Sequence, residues 1–162
     1  MKEYINDTTE KVKYEELIET LGFSEALIIC YKHEDSIFQF CTDRVNFNLK
    51  ETREFWGFKF YGVTDFNRNQ GLNIGMNSIS NIYSSKNYKD NLCLTDLSVK
   101  YKSENLLSVS INVNMAFGGI QFDFSRLELK MIEASAYFDE KSNDWIYYDI
   151  NQTIDFFNPF NW

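Results

Sequence analysis

The sequence predicts a mainly β (α+β) fold, an antiparallel β-sandwich or curled meander sheet with one N-terminal amphipathic helix. Three observations carry this. A single stretch near the start repeats its apolar residues with helical period, most later stretches alternate apolar and polar residues with period two, and Gly or Asn/Asp-rich breaks separate them. The chain has 162 residues, 28 of them aromatic, with 25% charged, enough apolar mass for one core. A single domain over residues 1–162 is expected, with the helix at about 8–21, a β-rich body at 25–150 and an aromatic tail at 154–162.

The helix is expected to start at Asp7, with Glu10 completing a capping box. Tyr14, Leu17, Ile18 and Leu21 then fall on one face before the stop at Gly22. The opposite face, with Glu10, Lys11, Lys13, Glu15, Glu16 and Glu19, reads as solvated. Leu27 to Tyr31 and Ile37 to Cys41 form a hairpin around Glu34-Asp35-Ser36. A third strand is expected through Val45, Phe47 and Leu49, and a fourth through Phe58 and Phe60 between Gly57 and Gly62. Asn67 to Asp90 is rich in Asn, Ser and Gly and carries no clear period.

The second half is more regular. Leu97, Val99 and Tyr101 mark one strand, and Leu107 to Phe117 alternates without a fault up to a two-residue turn at Gly118-Gly119. The return strand keeps Ile120, Phe122 and Phe124 in phase, slips at Ser125-Arg126 as a β-bulge would, and continues through Leu127, Leu129 and Met131. Ala134 to Phe138, a turn at 139–144 and Trp145 to Ile150 complete eight to ten strands.

The charge balance, 16 basic against 24 acidic residues for a net −8, disfavours direct binding to nucleic acid, whose phosphates such a surface repels. The surplus is concentrated late: residues 90–162 carry 5 basic and 11 acidic side chains. Acidity of this size also serves solubility. The polar, acidic start and the short longest apolar run, Ala26 to Tyr31, suggest neither signal peptide nor membrane span, so a cytoplasmic location is expected.

No catalytic signature stands out, and no cofactor is implied. His33, the only histidine, is expected to lie exposed at a turn. Of Cys30, Cys41 and Cys93, two sit in apolar runs and read as buried thiols, no disulfide framework is implied, and Cys30 and His33 sit an odd number of positions apart, which argues against a shared metal. The glycines match neither phosphate-binding fingerprint.

The more informative pattern lies near the end. In the last strand Asp149 marks Trp145, Tyr147 and Asp149 as the outward face, beside the acidic turn with Asp139, Glu140 and Asp144. Aromatic rings ringed by acids make a candidate partner-binding patch. The tail 154–162, with four aromatics and the only proline, is expected to dock on the body as a clamp, the alternative being a partner motif.

Phe58-Lys59-Phe60-Tyr61-Gly62-Val63 and Phe117-Gly118-Gly119-Ile120-Gln121-Phe122-Asp123-Phe124, in a small acidic β-rich chain, resemble segments of bacterial immunity proteins that neutralise polymorphic or contact-dependent growth-inhibition toxins. The resemblance spans residues 55–135 and carries no catalytic residues. It implies a non-enzymatic binding role in which an acidic surface occludes a basic protein toxin domain, commonly a nuclease. The competing expectation is a β protein that holds a small apolar ligand in an aromatic-lined cavity.

Overall fold

The computed structural model describes residues 2–5, 12–45, 52–68, 80–81, 92–113, 118–149, 152–154 and 159–162. Antiparallel β-structure dominates them, with one helix, as the alternation requires. The elements are β1 (Lys2–Ile5), α1 (Val12–Leu21), β2 (Leu27–Glu34), β3 (Ile37–Val45), β4 (Thr52–Tyr61), β5 (Thr64–Arg68) and β6 (Ser80–Asn81). They continue with β7 (Leu92–Ser103), β8 (Leu106–Val113), β9 (Gly119–Phe124), β10 (Arg126–Asp139), β11 (Asp144–Asp149) and β12 (Gln152–Thr153). The strand order is β12-β11-β10-β4-β3-β2-β7-β8-β9-β5, with β1 on β10 and β6 on β2.

The sheet curls into two leaves that face each other. On one side they are joined, among the described residues, by the pairs Leu27↔Cys93 and Ile28↔Leu92 between β2 and β7 and by the backbone bonds of Glu25 and Ala26 to Leu94. On the other, the chain itself crosses twice, from β4 to β5 through Gly62-Val63 and from β9 to β10 through Ser125. These corners hold each other: the Ser125 amide and hydroxyl both donate to the Tyr61 carbonyl, at 3.0 and 3.1 Å. Gly62 has φ +65°, and a Cβ there would collide with the Ser125 hydroxyl, so only glycine fits the corner. The slip at Ser125 is therefore a passage between leaves and not a bulge within one strand.

Between the leaves lies the main core. Phe38, Phe40, Phe58, Phe60, Leu127 and Leu129 come from one leaf, and Leu107, Val109, Ile111, Phe122 and Phe124 from the other. These are the in-phase positions of the sequence pattern, because alternate side chains of a strand share a face. Tyr14 and Ile18 of α1 close one margin of this core. Gly22, at φ +56°, ends the helix as expected, and its amide donates to the Ile18 carbonyl at 3.1 Å. The expected cap at Asp7 and Glu10 lies outside the described residues.

Several expectations need correction. Val45 ends β3 and does not open a third strand, and positions 46–51 lie outside the described residues. Gly118-Gly119 is no two-residue turn: Gly119 already pairs with Asn112, and the Val113 amide donates to the Gly118 carbonyl at 3.0 Å. β10 is one continuous 14-residue strand, long enough to pair along one edge with β1 at 128–131 and β11 at 135–139. The short strands β1, β6 and β12 carry the number of described strands beyond the eight to ten expected. Two or four residues are too few to show a period.

The outer face of the first leaf has its own cover. Ile29, Cys30, Cys41, Phe55 and Ala134 form a second buried cluster with Ile154 and Phe160, and Trp162 packs on its margin. The described part of the tail, Ile154 and residues 159–162, thus docks on the body. Gly57 makes room for it: a Cβ there would stand 2.7 Å from the Trp162 ring and 2.8 Å from that of Phe160. Lys59 and Lys130 place their ammonium groups 5.6 and 6.0 Å from the Trp162 ring centroid, within cation–π reach. Gly57→Val is expected to destabilise the protein by about 1–3 kcal/mol through overpacking. Chemical denaturation with tryptophan emission checks this, and unchanged stability with unchanged emission would show that the tail is not seated there.

Candidate functional site

The β10–β11 hairpin gathers the late acids. Asp139 and Asp144 close it as a cross-strand pair, and Asn143 takes the left-handed conformation, φ +53°, that Asn tolerates in turns. The Asp139 carboxylate accepts hydrogen bonds from the Ser142 hydroxyl at 2.7 Å and from the Ser142 and Lys141 amides at 3.2 and 3.3 Å. These donors, the Ser142 hydroxyl first, hold its carboxyl below the usual carboxylate range. Asp139 therefore shapes the tip as an anion, while Glu140 beside it is exposed.

The side chains of Asp144, Trp145, Tyr147 and Asp149 lie outside the described residues, and so does the expectation that they face outward. Their backbone positions are given by the register, Phe138↔Trp145 and Ala136↔Tyr147, in phase along β10 with Ala134. All six predicted residues thus belong to one hairpin at one end of the sheet.

Five ion pairs join other charges among the described residues. Lys32 pairs with Glu34, Arg44 with Glu54, Arg53 with Asp43, Lys102 with Asp123 and Lys130 with Glu128. Arg44 also donates to the Leu21 and Gly22 carbonyls at the end of α1 and lies over the rings of Phe23 and Trp56. Glu54 accepts from both Arg44 and the Trp56 indole at 2.8 Å. Sequence inspection missed this group, because Arg44 and Glu54 meet only through the β3–β4 register that pairs them.

His33 is not an exposed turn residue. It lies in β2, half-buried, with its ring stacked on Phe66 at 4.2 Å and edge-on to Phe38 at 5.9 Å. Burial lowers its pKa, with the Asp35 backbone opposing, so the ring is neutral at physiological pH. Cys30 belongs to the cluster on the outer face instead, where it pairs across strands with Cys41. The Cys30 neighbour, and then burial, push the Cys41 thiol well above its usual range, which leaves a poor nucleophile.

Aromatic rings fill the space between the leaves themselves. Phe40 stacks on Phe58 at 4.5 Å, and Phe60 meets Phe122 and Phe124 edge-on at 5.0 and 4.9 Å. Glu15, read as part of a solvated face, accepts a hydrogen bond from the Tyr101 amide at 2.8 Å and ties α1 to β7. Among the described residues no helix is long and apolar enough to cross a membrane. No family model matches the chain, nor does any curated protein or solved structure.

Proposed function

We propose that this chain is a non-catalytic, cytoplasmic inhibitor of the immunity type, which binds a basic toxin domain, a nuclease by class, through the 139–149 hairpin. The observation that carries this reading is the late concentration of acid, 11 acidic against 5 basic residues over 90–162, together with a hairpin whose tip keeps Asp139 ionised and Glu140 exposed. Complementary charge speeds encounter with a basic cleft and penalises wrong partners. The contact of Phe rings across the interior speaks against an apolar-ligand carrier, which would need that space open.

The test starts from capture of a basic partner from the native host. Truncating a central aromatic of a desolvated interface costs about 2 kcal/mol or more, whereas a rim charge acts mainly on association. Tyr147→Ala is therefore expected to weaken binding at least 30-fold, and Glu140→Gln to slow association with little effect on dissociation. Both are read by binding kinetics at low and physiological salt beside thermal unfolding. Two normally folded variants that bind like the parent protein would place the interface elsewhere.

A further inference from the structure

β7 pairs with β8 along most of its length but with β2 only at Leu92 and Cys93. Just beyond, the Glu25 amide donates to the Leu94 carbonyl and the Leu94 amide to the Ala26 carbonyl, both at 2.8 Å, which closes that end of the β7 edge. At the other end the Tyr101 amide turns away from β8 to donate to Glu15. In an antiparallel ladder, residues that direct both backbone groups away from the partner strand recur at every second position. The register is unbroken from Leu97↔Ile111 through Val99↔Val109 to Tyr101↔Leu107. Leu97 and Val99 therefore also direct their N–H and C=O groups away from β8, toward α1. Among the described residues no strand pairs with that edge between Leu94 and Tyr101.

A groove of about 380 Å³ runs along this edge, with β7 residues 96–100 as one wall and α1 as the other. Among the described lining residues, Glu15 and Glu19 from the helix and Asp96 from the strand stand against one cation, Lys100. Glu19 and Asp96 are exposed. A row of backbone donors and acceptors that no described strand pairs is a template for an added strand. The acids beside it select the sign of its occupant.

We propose that the β7 edge facing α1 accepts an extended, Lys- or Arg-bearing segment of a partner protein as an added β-strand. The stretch between Leu94 and Tyr101, at ~3.3 Å per residue, accommodates about five residues. Leu97 and Val99 supply the main-chain hydrogen bonds, and Glu19 and Asp96 meet basic side chains. The site is separate from the 139–149 hairpin and stands without the inhibitor reading.

The test uses the full chain and three capped synthetic hexapeptides: alternating Val and Lys, alternating Val and Glu, and the Val/Lys sequence with a central Pro. Amide hydrogen exchange is followed by NMR, with affinity from titration. In the free protein the Leu97 and Val99 amides are expected to exchange at least tenfold faster than those of Ser98 and Lys100. Saturation with the Val/Lys peptide is expected to slow them at least tenfold. The Val/Glu and Pro-interrupted peptides are expected to bind at least tenfold more weakly, as is the Val/Lys peptide to a Glu19→Lys, Asp96→Lys variant with unchanged exchange elsewhere. Slow exchange at Leu97 and Val99 in the free protein would overturn the proposal. So would binding that leaves them unprotected, or equal binding of the Pro-interrupted peptide, which would reduce the groove to a nonspecific acidic patch. None of these outcomes touches the hairpin, so the failure of either idea is recognisable apart from the other.

Discussion

Arg53→Met is expected to cost about 3 kcal/mol at neutral pH, because removing one member of a buried ion pair strands the other. The Asp43 side chain is fully buried, and Arg53 is its cationic partner. Its second oxygen, Oδ2, has no hydrogen-bond partner among the described residues. Burial pushes the Asp43 pKa above its usual 3.8, and the Arg53 guanidinium only partly offsets that. The sign follows directly. A carboxyl whose pKa is raised on folding binds its proton more tightly in the native state, so it penalises stability above the folded pKa. The penalty fades as pH falls through that value and is gone below the unfolded one. Without Arg53 the folded pKa rises further, so the deficit of the variant against the parent protein shrinks on acidification. Combining Arg53→Met with Asp43→Asn is expected to recover most of the loss at neutral pH. Urea denaturation at neutral and mildly acidic pH checks both statements. A deficit that does not change with pH would locate the effect in lost packing of the Arg53 stem.

Phe60→Ala is expected to be at least as damaging, at about 3–5 kcal/mol. The ring is fully buried on β4 and lies 5.0 and 4.9 Å from Phe122 and Phe124 of β9, 6.1 Å from Phe40 and 6.4 Å from Phe38. It therefore spans the space between the leaves. Beyond the lost transfer energy, its removal leaves a cavity that the corners at Gly62 and Ser125 prevent from collapsing. Combining it with Phe122→Ala should cost less than the two single losses together, since each removes the same contact. Equilibrium unfolding of the three variants decides this. A single-variant loss below about 1 kcal/mol would mean that the leaves do not bear on each other through this ring.

Much of the body was legible from local pattern. The alternation of Leu107, Val109, Ile111 and Val113 located β8 and its buried face, and Phe58 and Phe60 did so for β4, because period two is dictated by backbone geometry alone. Gly22 marked the helix stop for the same reason: only a residue tolerant of positive φ ends a helix in that way. The 139–144 turn was equally clear from its polar composition. The candidate patch was legible only as a set of residue types. The sequence offers Asp149 as a marker of the outward face, while the cover of a strand face depends on distant parts of the chain.

The sequence by itself determined the class of the fold, the helix end, the hairpin that carries the acids and the phase of most core strands, since each depends on neighbours a few residues apart. Tertiary structure alone decided the rest. It turned the slip at Ser125 into a corner between leaves, and it set Arg44 against Glu54 and the end of α1. It placed Phe160 and Trp162 over Gly57 and set the edge of β7, which no described strand pairs between Leu94 and Tyr101, beside Glu15 and Glu19. Alternation tells that a strand has two faces, and a glycine tells that something comes close. What covers a face, or what leaves an edge unpaired, is set by contacts between residues tens of positions apart, and no local period encodes them.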